Sequence, residues 1–120
     1  VARIVEAAVR LHAERGIVAA KPGDIAARAR VARATTLPIL ILGGEVTGDP
    51  LPVLQDLQAA MQAGPNIRGA LIGRNVIFPG PDDPRAMAAA VAALVHDRSE
   101  VSGARAVMAA ERRKDLSLLP

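Results

Sequence analysis

The sequence predicts an α/β domain in which short parallel strands alternate with helices. Three observations carry this. Two short apolar runs, Leu37-Pro38-Ile39-Leu40-Ile41-Leu42 and Gly69-Ala70-Leu71-Ile72, each end in glycine, at Gly43-Gly44 and at Gly73. An uninterrupted apolar run has no wet face, as expected of a strand buried on both sides. Between the runs, Val53, Leu54, Leu57, Ala60 and Met61 recur at the i, i+3, i+4 spacing of a helix. Strand, helix, strand is a βαβ unit, and its two strands should be adjacent and parallel.

Taken in order, residues 2–15 read as an amphipathic helix, with Ile4, Val5, Ala8, Val9 and Leu11 near one face and Gly16 as its stop. Ile17-Val18-Ala19-Ala20 is short, apolar and partly β-branched, which suits a buried strand with Lys21 at its carboxyl end. Pro22-Gly23 makes a turn, and Asp24 can cap a helix from Ile25 to about Ala34. The first glycine-ended run follows. Asp49-Pro50 is a cap followed by proline in the first turn, and it opens the helix that Gly64-Pro65 stops near Ala63. After the second run, Asp83-Pro84 repeats that device for an alanine-rich helix to about His96. Ser99 is placed to cap a last helix reaching about Lys114, and Leu116–Pro120 is expected to fray. The order is helix, strand, helix, strand, helix, strand, helix, helix.

The 120 residues suffice for one small domain with a real core. A composition of 51% apolar and 22% charged residues argues against disorder. Much of the apolar share is alanine and Phe78 is the only aromatic, so the core should be thin. Net charge is +3, with thirteen Arg and two Lys. The arginines are scattered through the helices among Glu and Asp, which reads as a solvated surface and argues against a nucleic-acid face. No stretch approaches the roughly 18 apolar residues of a membrane span. Cys is absent, which excludes disulfides and thiolate metal sites, and the expected location is cytoplasmic. The chain does not begin with Met, so a processed product or a fragment is expected, and no secretory signal pattern opens it.

In α/β folds, ligands bind beyond the carboxyl ends of parallel strands. Gly43-Gly44 and Gly73-Arg74 stand there, thirty positions apart. Glycine lets a backbone approach a ligand and present its N–H groups, and Arg74 can give a phosphate a bidentate charge. These four residues are the candidate phosphate site; the plain alternative is that the glycines only make tight turns. Lys21 is the candidate nucleophile. A desolvated amine at a strand end loses its proton more readily and can attack a carbonyl to form a Schiff base; the plain alternative is a solvated surface lysine. His12 and His96 lack partners at metal-ligand spacing, and Asp82-Asp83 is better explained as a helix cap than as a metal site. Glu45 reads as an exposed loop acid.

The stretches VARATTLPILILGGE, TGDP with VLQDLQAAMQAG, and RGALIGRNVIFPG with DDPRAMAAAVAALVH cover residues 31–96. They resemble the class I aldolases of β/α-barrel fold, the group holding deoxyribose-phosphate, tagatose-bisphosphate and archaeal-type fructose-bisphosphate aldolases. The resemblance implies a partial (β/α)8 TIM barrel over residues 1–120, with about three parallel strands equivalent to strands six to eight. ERGIVAAKPGD looks like the strand-six pattern of that group, which implies Lys21 as the Schiff-base lysine. The implied reaction is reversible aldol cleavage of a phosphorylated sugar, with no metal and no cofactor. Gly43, Gly44, Gly73 and Arg74 would hold the phosphate. A whole barrel needs roughly 250 residues, so the chain alone is expected to be inactive. Its open sheet edges could support a homo-oligomer.

A second resemblance competes at the amino end. ARIVEAAVRLHAERG followed by DIAARARVARAT resembles the helix-turn-helix of TetR-type repressors over residues 2–35. It implies a DNA-binding regulator, with Ile25–Ala29 as the first helix of the motif and Val31–Thr36 beginning the recognition helix. A helix over Leu37–Leu42 would favour this reading and a strand would favour the barrel.

Overall fold

The computed structural model describes residues 25–112. The expected helix over 2–15, the strand over 17–20, Lys21, the Asp24 cap and the tail beyond 112 lie outside the described residues. The elements are α1 (Ile25–Ala34), β1 (Ile39–Leu42), α2 (Pro50–Gln62), β2 (Ile67–Leu71), a one-turn α3 (Arg74–Ile77), α4 (Pro84–His96) and α5 (Val101–Glu111). Strands β1 and β2 pair in parallel, Ile41 beside Ala70 and Leu42 beside Leu71, with α2 crossing between them. This is an α/β arrangement of two parallel strands with helices, and it bears out the expected βαβ unit.

Local chemistry explains where the helices begin. The Asp49 carboxylate accepts from the Leu51 N–H at 3.0 Å and that of Asp83 from the Ala86 N–H at 2.7 Å, each with proline in the first turn. The last helix departs from expectation. Ser99 does not cap it; Gln58 Oε1 on α2 accepts from the Val101 N–H at 2.8 Å, which joins α5 to α2.

The core gathers Leu54, Leu57 and Met61 of α2, Ile39 and Ile41 of β1, Ile67 of β2, Met87 and Leu94 of α4, and Met108 of α5. Buried alanines, among them Ala60, Ala86, Ala90 and Ala104, let the helices approach closely. All three methionines are in this core, where an unbranched thioether fills irregular gaps between small neighbours. Arg28 of α1 is also fully buried and meets Asp56 of α2 through two bonds of 2.9 Å. A buried guanidinium needs such pairing, because an unpaired charge there is costly.

Two expectations are corrected. Strands covered on both faces are not observed among the described residues. Ile39 and Ile41 are buried, whereas Leu40, Leu42 and Leu71 are 46%, 36% and 60% exposed. Helices cover one face of the pair and the other is open. The helix-turn-helix is corrected as well. It requires a break between Ala29 and Val31, but residues 25–34 form one uninterrupted helix and a strand follows it. Among the described residues, no helix is long and apolar enough to cross a membrane.

Candidate functional site

The carboxyl ends of β1 and β2 lie side by side, because the parallel ladder continues one step past the strands: the Gly43 N–H donates to the Leu71 carbonyl at 3.0 Å. Beyond that bond the two chains part. On the first, Gly44 adopts φ +69°, a left-handed conformation that suits glycine, and turns the chain into the loop before α2. On the second, Gly73 is the N-cap of α3, whose single turn closes with the Ile77 N–H donating to the Gly73 carbonyl at 3.0 Å.

A cavity of about 280 Å³ opens between these ends, lined by Gly43, Gly44, Leu71, Ile72, Gly73, Arg74 and Asn75. The structure thus brings together four of the five expected site residues: Gly43, Gly44, Gly73 and Arg74. The fifth, Lys21, lies outside the described residues. Arg74 is exposed, and among the described residues its guanidinium has no hydrogen-bond or ion-pair partner. Among the described residues, the site therefore offers one unengaged cation beside two glycine backbones, with no acidic side chain in the lining. Such a surface suits an anion. A second cavity of about 620 Å³ adjoins it, sharing Gly43, Gly44, Ile72 and Asn75, and extends past Val53 and Leu57 to Glu45, Thr47 and Asp56. Glu45 is an exposed loop residue, as expected.

Asn75 is the residue that sequence reasoning passed over. Its side chain is 3% exposed. Nδ2 donates to the carbonyls of Gly43 at 3.0 Å and Glu45 at 2.9 Å, and Oδ1 accepts from the Thr47 N–H at 3.2 Å. A single amide from the end of one strand thus holds three backbone groups in the loop that follows the other. The available signal was its place directly after Gly73-Arg74; its partners, about thirty positions away, gave none.

Known proteins share sequence with this chain. The family described as Cgl0159-like matches residues 5–95. A 2-amino-3,7-dideoxy-D-threo-hept-6-ulosonate synthase of Halobacterium salinarum is 39% identical over 102 residues, which cover 82% of this chain and 37% of that enzyme. A 2-amino-4,5-dihydroxy-6-oxo-7-(phosphonooxy)heptanoate synthase of Streptomyces griseus is 34% identical over 106 residues, 88% of this chain and 37% of that enzyme. The chain thus spans a little over a third of the length of these relatives. It is homologous to these synthases, and the resemblance to the class I aldolase group is borne out at that level. The family match takes in both strands and both glycine ends, and the chain belongs to the Cgl0159-like family.

Proposed function

We propose that this chain is the C-terminal portion of a (β/α)8-barrel enzyme of class I aldolase type. In this reading β1 and β2 are equivalent to strands seven and eight, and residues 1–120 belong to one partial barrel domain. The substrate is a phosphorylated carbonyl compound of the sugar type. The observation that carries the reading is the meeting of Gly43, Gly44, Gly73 and Arg74 around one cavity at the carboxyl end of the parallel pair, where β/α barrels bind phosphate. The homology supports it: the name of the Streptomyces relative carries a phosphonooxy group. The open sheet face of Leu40, Leu42 and Leu71 supports it as well, since in a barrel that face lies toward the interior, packed by side chains of the other strands.

The chemistry follows from a lysine amine and an anchored phosphate. Neutral Lys21 attacks the substrate carbonyl, water leaves, and a protonated imine forms. A base takes the proton of the hydroxyl on the second carbon from the iminium carbon. The bond between that carbon and the first breaks, an aldehyde departs, and the electron pair moves onto nitrogen as an enamine. Protonation of the first carbon then restores the iminium, and the reverse sequence forms the bond. Hydrolysis frees the product and restores the amine. The phosphate site fixes the carbonyl near Lys21, which turns a bimolecular attack into a positioned one.

Inorganic phosphate titrated onto the full chain should shift the backbone amide resonances of Gly44 and Gly73. Arg74→Ala should weaken that binding by about 1.5–3 kcal/mol, the range for a hydrogen bond to a charged group. Equal affinity in the two proteins would remove Arg74 from the site.

A further inference from the structure

We infer that Asn75 is a positioning residue for the anion site: through the loop after β1, it sets the place of the Gly43–Gly44 backbone that would face the phosphate. This rests on the phosphate reading above and adds to it a residue that works through backbone geometry rather than charge.

Three observations support it. Asn75 uses both ends of its amide on one loop, with its donors on Gly43 and Glu45 and its acceptor on Thr47. Its burial leaves those bonds shielded from competing water. The loop is short and its residues 44–49 are exposed. Gly44, with its positive φ, lies between two carbonyls that Asn75 fixes, so the direction of the Gly44 N–H follows from the clamp.

The far end of the same loop has a second restraint. Gly80 lies against Gly48 so closely that a Cβ built on Gly80 would fall 1.9 Å from the Gly48 carbonyl oxygen. Neither Gly48 nor Gly80 lines the smaller cavity. A side chain at position 80 must push the loop away without touching the anion site. Asn75 and Gly80 therefore hold one loop from two directions, and only Asn75 borders the cavity.

The test is phosphate affinity, read at the Gly44 and Gly73 amides of the full chain, for the wild type, Asn75→Ala and Gly80→Ala. Thermal unfolding is measured on each. Asn75→Ala should weaken binding about tenfold, and faster hydrogen exchange at the Thr47 amide should report the released loop. Gly80→Ala should weaken binding in the same direction although it adds no group to the cavity. A merely structural role would lower the unfolding temperature and leave the affinity of the folded protein unchanged. Wild-type affinity in folded Asn75→Ala overturns the inference and leaves the phosphate reading intact. Should Asn75→Ala fail to fold, wild-type affinity in Gly80→Ala with a displaced loop overturns it. A wild-type protein that binds no phosphate overturns both.

Discussion

At the amino ends of β1 and β2, polar side chains close on backbone carbonyls. Asn66 Nδ2 donates to the carbonyls of Ala32, Thr35 and Leu37, tying the end of α1 to the start of β1. Arg98, in the left-handed region at φ 53°, donates to the carbonyls of Met61 at 2.9 Å and Ile67 at 3.0 Å. At the carboxyl ends the arrangement is reversed. Glycines replace side chains, Arg74 has no protein partner among the described residues, and the one clamping side chain, Asn75, shapes a loop around a cavity. One end uses its charge and amide groups to hold the fold together. The other keeps a cation unengaged and braces the backbone beside it. In β/α folds that asymmetry separates the stabilising end from the ligand-binding end.

Substitutions should separate the two ends. Asn66→Ala removes the two N–H donors that three carbonyls share and should cost about 2 kcal/mol of stability, at about 1 kcal/mol per net hydrogen bond. Thermal or urea unfolding measures this, and phosphate affinity of the folded protein should not change. Arg98→Ala should cost about 2 kcal/mol, with no relief of the backbone, because alanine tolerates φ 53° no better than arginine does. Arg98→Gly should recover about 1 kcal/mol of that loss by removing the left-handed penalty. If either variant weakened phosphate binding without unfolding, the separation of the ends would fail. Arg74→Ala should show the opposite pattern, with stability unchanged within about 0.5 kcal/mol and phosphate binding weakened. The smallest effect belongs to Arg112, which pairs with Asp82, neither of them lining the smaller cavity. Its hydrogen bond to Asp82, with that carboxylate's charge, raises the guanidinium pKa further above its ordinary value. The pair therefore stays ionised on the arginine side at any working pH, and Arg112→Gln should leave phosphate affinity unchanged.

What the sequence made legible was local. The Asp49 and Asp83 caps bond residues two or three positions away, so their meaning is contained in the dipeptides Asp-Pro that announce them. The apolar stripe of α2 is likewise a property of one segment, and Val53, Leu54, Leu57, Ala60 and Met61 are all buried. The glycine ends were legible because parallel pairing, once accepted, places them together. What was hidden depends on distant partners or on missing cover. Strand β2 begins at Ile67, before the apolar run, because exposed Arg68 interrupts the pattern that marks a buried strand. Gln58 supplanted Ser99 as the partner of the α5 amino end from 43 positions away. Asn75 reaches its loop over a similar gap. The exposure of Leu40, Leu42 and Leu71 was hidden for a different reason, since an apolar run reports the surface it can bury and carries no record of what buries it.

The central claim is that phosphate anchoring at the carboxyl ends serves imine chemistry at Lys21. Borohydride reduction with a triose phosphate of the whole barrel proposed above, this chain joined to the upstream strands, followed by mass mapping of the adduct, tests it most directly. The account predicts a covalent adduct on Lys21 and none on Lys114, with trapping reduced in Arg74→Ala and abolished in Lys21→Arg. An adduct shared equally by the two lysines, or substrate cleavage that Lys21→Arg leaves as fast as before, would contradict it.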